Sequence, residues 1–146
     1  MTRLPIDWDD LELALTWRMD EGRYFLDSET GEVIAWTGAD DPEHSEDELD
    51  ARLAEGRLLP IDPLPSSVEY GWMEEFAAAV GNPALCWQLD GALGGSRPFR
   101  RFKDVLADHP AERERWFAFH SERVREAAKE WLEENGIEGS SPGPER

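Results

Sequence analysis

The sequence predicts an α+β fold, in which an N-terminal helix and a small three-stranded antiparallel sheet pack against a C-terminal set of three to four helices. Three observations predict it. A helical apolar pattern opens the chain, two β-prone runs flank a turn-forming cluster between residues 21 and 36, and helical periodicity continues from Pro65 onward. We predict one domain over residues 1–136, because 146 residues with 40% apolar content suffice for one core. Residues 137–146 are rich in Gly, Ser and Pro and are predicted to be a disordered tail.

The first helix is predicted over residues 7–18. Asp7 is a typical N-cap residue, and Trp8, Leu11 and Leu15 recur at helical spacing. Trp17 falls on the opposite side of this helix, so we expect it to be exposed and to mark a partner or dimer surface.

Residues 21–36 form the clearest hairpin pattern, because an Asp/Ser/Thr/Gly cluster separates the two β-prone runs. The loop length leaves the strand register open. Residues 57–61 predict a third strand, and Pro60 favours an edge position or the strand's end.

Residues 40–50 contain seven acids. Their mutual repulsion predicts a mobile loop or a frayed helix that begins near Ser45. His44 adds a metal-ligating residue type, but the segment lacks the glycine and oxygen spacing of a calcium loop, so no metal is predicted. An alternative function follows from the same stretch: an acidic protein that binds a basic partner surface by charge.

Helix start and stop residues divide the rest of the chain into four helices. Ser66 with Glu69 fits a capping box, Asn82-Pro83 fits a helix start, and Gly94-Gly95 a helix end. Ser96 is predicted to cap the third of these four helices, which is called the third helix below. The last helix is predicted over residues 110–134 and ends at Asn135-Gly136.

The third helix has the only concentrated positive charge in the sequence. Its predicted apolar face carries two Phe, one Val and one Leu, and its other face carries cations with no acid among residues 97–103. The candidate anion-binding residues are Arg97, Arg100, Arg101 and Lys103. Guanidinium groups bind phosphate or carboxylate bidentately, and a helix N-terminus beside a glycine turn favours anions. The alternatives are that these residues pair with internal acids, for example Arg100 with Asp104, or are simply solvated.

The first function that these residues predict is a non-enzymatic binding or regulatory module, in which the Arg-bearing helix docks an anionic ligand or partner. A hydrolase-like enzyme that acts on a phosphorylated substrate is the second function that the sequence leaves open. It would use the arginines of the third helix to hold the anion and Glu74, Glu75 or His120 as the base. A lone His on an apolar helix face is more often a structural residue. No nucleotide-binding or hydrolase motif is present, so the prediction leans away from an enzyme, and no cofactor is predicted.

Composition limits the partners and the compartment. The net charge of −18 disfavours nucleic-acid binding by the whole protein and association with anionic membranes. Absence of a long apolar run and of a signal-peptide pattern favours a cytoplasmic protein, and a homo-oligomer stays possible. The single Cys86 is expected to be a small buried residue, and the tryptophans other than Trp17, Trp87 included, are expected in the core.

Several segments together are similar to a known family. They are Phe25-Leu26-Asp27 with Glu29-Thr30-Gly31-Glu32-Val33-Ile34, Trp72-Met73-Glu74-Glu75-Phe76, Phe99-Arg100-Arg101-Phe102-Lys103-Asp104, Glu114-Arg115-Trp116-Phe117 and Trp131-Leu132-Glu133. In this order they resemble the uncharacterised bacterial protein family numbered 0158, over about residues 6–138. The resemblance implies a bacterial, cytoplasmic, single-domain protein and implies no catalytic residue. The family tends to have Gly-x-Gly-Ala before the Phe-Arg-Arg-Phe segment, whereas this chain has Gly95-Ser96-Arg97-Pro98, which favours a stiffer helix start over a glycine-rich phosphate loop.

Overall fold

The structure, a computed structural model, describes residues 2–17 and 21–140 and has the predicted α+β class. The strands are β1 (Thr2–Pro5), β2 (Arg23–Asp27), β3 (Val33–Trp36), β4 (Leu58–Ile61) and β5 (Ile137–Ser140). The helices are α1 (Trp8–Thr16), α2 (Glu46–Ala54), α3 (Ser66–Ala79), α4 (Pro83–Leu93), α5 (Pro98–Ala107) and α6 (Pro110–Glu134). The chain divides into two compact units, one of Met1–Pro63 with Val124–Arg146 and one of Leu64–Arg123. The single-domain organisation stays a prediction.

The first unit contains the predicted three-stranded antiparallel sheet, in the order β3-β2-β4. Phe25 of β2 pairs with Ile34 of β3 on one side and with Pro60 of β4 on the other, which fixes the register. Pro60 lies on an edge strand, as predicted, where its missing N–H removes no bond from the sheet interior. Phe25 and Ile34 form a buried cluster with Leu49 and Leu58.

The hairpin turn is held by a buried carboxylate. Asp27 is 5% exposed and accepts hydrogen bonds from the backbone N–H groups of Glu29 and Thr30, at 2.8 and 3.1 Å. Its other oxygen accepts a bond of 2.7 Å from Arg52 of α2. Gly31 follows with a φ of +81°, and its Cα lies so close to the Pro5 carbonyl that a Cβ would clash. The turn therefore depends on a local Asp motif and on glycine.

Two strands lie outside the predicted sheet. β1 and β5 form a parallel pair in which Thr2 faces Ile137 and Leu4 faces Gly139. The prediction of a disordered tail is thus wrong for residues 137–140, because Ile137 is buried and the backbone of this segment pairs with β1. The rest of the predicted tail, residues 141–146, lies outside the described residues.

The acidic segment, residues 40–50, continues into an ordered helix from Glu46 onward. Ser45 accepts a hydrogen bond from the N–H of Glu48 at 3.2 Å, and α2 begins at Glu46, so the predicted start near Ser45 is confirmed. The alternative of a mobile loop is wrong at this point, because Leu49 is buried and anchors the helix. Before the helix, Asp41 accepts backbone hydrogen bonds from Thr37, Glu43 and His44, each of 2.8 Å.

The second unit is helical, with α3, α4, α5 and residues 110–123 of α6. Its core is aromatic: Phe76, Phe102 and Trp116 lie within 5.0 to 6.3 Å of one another, centroid to centroid. Asn82 caps α4 with bonds to two backbone N–H groups, as predicted. The prediction of a capping box at Ser66 is wrong, because Pro65 occupies the N-cap position and Ser66 already lies inside the helix.

The expectations for Cys86 and Trp17 have different outcomes. Cys86 is half-buried and its Sγ lies 3.9 Å from Asp90 Oδ2, so it is less buried than predicted. Trp17 is exposed, as predicted, at 59%. Its assignment to a partner or dimer surface stays a prediction.

Candidate functional site

Helix α5 begins at a residue with an unusual backbone conformation. Arg97 occupies the N-cap position with φ 50° and ψ 54°, and it is the one non-glycine residue with positive φ among those the structure describes. Its carbonyl accepts the N–H of Arg101 at 3.0 Å. The predicted Ser96 cap is wrong, because the helix starts one residue later and no side chain caps it. An arginine in the left-handed region costs about 1 kcal/mol or more.

A hydrogen bond from α3 holds the turn that precedes α5. The Tyr70 hydroxyl donates to the Leu93 carbonyl at the end of α4, at 2.7 Å. The Tyr70 ring also contacts Phe99 edge to face, with 6.4 Å between centroids. The end of α4 and the start of α5 are thus both fixed to α3.

The apolar face of α5 is buried as predicted. Phe102 is fully buried and Leu106 is 1% exposed, while Phe99 and Val105 are half-buried against the same cluster.

The opposite face presents the four candidate cations to solvent. They are Arg97, Arg100, Arg101 and Lys103, all exposed. None of them makes an ion pair with an acid in residues 2–17 or 21–140, and the Arg100–Asp104 pair considered above is absent. Six arginines elsewhere in the described chain do pair with acids: Arg23, Arg52, Arg57, Arg115, Arg123 and Arg125. The α5 cations are therefore available to an external anion.

An open groove of about 530 Å³ lies between α4 and α5. Arg101 and Asp104 of α5 line it together with Asp108, the residue that follows α5, and Trp87 and Gln88 line it from α4. The Trp87 side chain is 79% exposed, which contradicts its predicted place in the core. The sequence did contain the relevant signal, because Trp87 lies about 160–200° around the helix from the buried Leu85 and Leu89.

The glycine turn is covered by a side chain of the same site. A Cβ at Gly95 would lie 2.6 Å from Nη1 of Arg101, so the Arg101 guanidinium packs directly on this glycine. The absence of a Cβ at Gly95 therefore leaves room for the Arg101 guanidinium to lie against the turn.

His120 lies in a different part of the second unit. Its Nε2 is 2.8 Å from Glu69 Oε1, and its ring contacts Trp72 and Trp116 with centroid distances of 5.7 and 5.4 Å. An acid thus orients this histidine, as a general base would require. The groove next to Arg101 is lined by neither His120, Glu74 nor Glu75, however, and Glu75 forms an ion pair with Arg123. The hydrolase hypothesis stays a prediction that this arrangement does not favour.

The acidic surface around α2 is both exposed and ordered. Its exposed members are Glu43, Glu46, Asp47, Glu48 and Asp50. Binding of a basic partner at this surface stays a prediction. Within the described parts of the chain, no group of three or more His, Cys, Asp or Glu residues has an arrangement that could hold a metal ion. No described helix is long and apolar enough to cross a membrane.

The fold and the site define an α+β protein that exposes a cationic helix beside an open groove. Residues 2–141 match the family described as "Uncharacterised protein family (UPF0158)", and the chain belongs to that family. A similar curated relative is UPF0158 protein PA5073 of Pseudomonas aeruginosa, 37% identical over 142 residues that cover 94% of this chain and 88% of the relative. No solved structure matches the chain. The resemblance noted in the sequence is confirmed, and the family brings no established activity with it.

Proposed function

We propose that this protein is a non-enzymatic binding module whose α5 face docks an anionic ligand. The observation that carries the proposal is the unpaired state of Arg97, Arg100, Arg101 and Lys103 among the described residues of a chain with 33 acids. Internal pairing was the main alternative to an external anion, and it would have satisfied these groups.

The groove favours a particular class of anion. Trp87 offers an exposed indole face on one side, and Arg101 offers a guanidinium on the other, next to the carboxylates of Asp104 and Asp108. An aromatic face stacks planar rings, and a guanidinium binds phosphate through two parallel hydrogen bonds. A groove of about 530 Å³ is of the size that accommodates small ligands. A phosphorylated compound with an aromatic ring, such as a nucleotide, satisfies all three features.

The experiment compares AMP, adenosine and inorganic phosphate in a thermal-shift assay with calorimetry. We expect AMP to raise the melting temperature most, because a ligand at 100 times its Kd adds about 2.7 kcal/mol of stability. Arg100→Ala/Arg101→Ala should abolish the response to AMP and phosphate, and Trp87→Ala should reduce the response to AMP alone.

The control is Arg115→Ala/Lys129→Ala, which also removes two positive charges, but from α6 and not from α5. If this control loses AMP binding to the same extent, the effect is one of net charge and the proposal fails. Absence of binding by all three compounds would likewise overturn it, and a search for a protein partner would follow.

A further inference from the structure

A second cavity opens on the other flank of α5, between this helix and the first turns of α6. It has a volume of about 140 Å³. Its lining consists of Lys103, Leu106, Ala107, Arg113, Trp116 and Phe117. All six residues belong to the second unit.

The wall of the cavity is apolar. Leu106 is 1% exposed and Trp116 is 3% exposed, so both lie at the base, whereas Phe117 is exposed. An apolar cavity of about 150 Å³ is large enough to hold one benzene ring. The space therefore suits one aromatic ring or a short branched alkyl group.

Two cations flank this apolar space. The Arg113 guanidinium carbon lies 5.0 Å from the centroid of the Phe117 ring, which fixes it beside the cavity, and Lys103 approaches from α5. Neither residue makes an ion pair with an acid in the described ranges, and both are exposed. A carboxylate held between them would gain two charge-assisted hydrogen bonds.

We infer that this α5–α6 pocket binds a small carboxylic acid with an apolar body, of the size of benzoate. The ring occupies the space bounded by Leu106 and Trp116, and the carboxylate faces Lys103 and Arg113. The α5–α6 pocket and the α4–α5 groove share no lining residue. Lys103 is the one cation of the α5 face that this inference also uses, and Arg113 belongs to the pocket alone.

The experiment titrates the full-length protein with benzoate and with benzyl alcohol, a neutral compound of similar size, and follows the indole N–H of Trp116 by NMR. We expect benzoate to shift this signal saturably and to bind more tightly than benzyl alcohol. Arg113→Ala and Lys103→Ala should each weaken benzoate about fivefold and leave benzyl alcohol unchanged. Ala107→Leu, which fills the cavity, should abolish the binding of both compounds.

Arg100→Ala is the matched control, since it removes a cation from the same helix without touching the pocket. The inference is overturned if benzoate leaves the Trp116 signal unmoved, if benzyl alcohol binds as tightly, or if Arg100→Ala weakens benzoate as much as Arg113→Ala. AMP binding by Arg113→Ala separates the two sites: it should be unchanged whatever the state of the pocket.

Discussion

The hydroxyl of Tyr70 donates a hydrogen bond of 2.7 Å to the carbonyl oxygen of Leu93. Leu93 is the last residue of α4, where carbonyl groups have no partner within the helix. The bond thus satisfies a helix-end carbonyl and fixes the turn that leads to Arg97. The position of the candidate site depends on a tyrosine two helices earlier in the chain.

Tyr70→Phe should lower the free energy of unfolding by about 1 kcal/mol, because it removes this hydrogen bond and keeps the ring contact with Phe99. Urea denaturation measures the difference. Tyr24→Phe is the control, since the Tyr24 hydroxyl bonds to no residue in the described ranges. Equal effects of the two substitutions would show that the Leu93 bond does not stabilise the turn.

The left-handed backbone at Arg97 leads to the prediction that a substitution there increases the free energy of unfolding. Arg97→Gly should stabilise the protein by about 1 kcal/mol relative to Arg97→Ala, because glycine adopts positive φ without steric cost. Both variants lose the same charge, so the difference in their unfolding free energies isolates the backbone contribution. Equal stability of the two would mean that α5 starts without this strained conformation.

The elements that could be predicted from the sequence are those whose stabilising contacts lie within a few residues of one another. The hairpin follows from residues 27–31, and the start of α4 follows from Asn82-Pro83, because in each case the stabilising contacts lie within a few residues. The pairing of β1 with β5 could not be predicted in this way. It joins opposite ends of the chain, and no local pattern states which distant strand will pair.

In the candidate site, too, local features could be predicted from the sequence, and features that depend on packing could not. The charge pattern located the cations of α5, because a run of Arg and Lys in an acidic chain is visible without coordinates. The left-handed conformation of Arg97 was not visible, since arginine has no preference for it. The groove itself required the packing of α4 against α5, which a helical wheel of either helix alone does not define.

Asp41 should titrate far below an ordinary aspartate. The hydrogen bond from the Thr37 backbone N–H is the largest cause that lowers the pKa of this carboxyl. With the backbone bonds from Glu43 and His44, it lowers the pKa to about 2. Because the folded-state pKa is lowered, the stabilisation is complete above pH 3.8 and is lost as the pH falls toward 2. Carboxyl ¹³C NMR should give a midpoint near the lower value, and the Thr37 amide signal should follow the same curve.

Asp41→Asn is the control for this titration, and it should leave the Thr37 amide insensitive to pH in the same range. An Asp41 midpoint at the ordinary value would show that the three backbone bonds do not persist in solution.

The largest loss of stability is expected at the buried Asp27. Asp27→Asn removes the charge that Arg52 neutralises and leaves a guanidinium, 22% exposed, without its partner. We expect a loss of about 3 kcal/mol in the free energy of unfolding, measured by urea denaturation. Glu29→Gln provides the comparison, because the Glu29–Arg57 pair is exposed and should change stability by less than about 1 kcal/mol.

A second substitution tests the cause of that loss. Arg52→Met should cost less in the Asp27→Asn background than in the wild type, because the pair is already broken. If the two substitutions are additive, or if Asp27→Asn costs no more than Glu29→Gln, the buried pair does not hold the hairpin to α2. In that case the backbone bonds of Asp27 to residues 29 and 30 would be sufficient to form the turn.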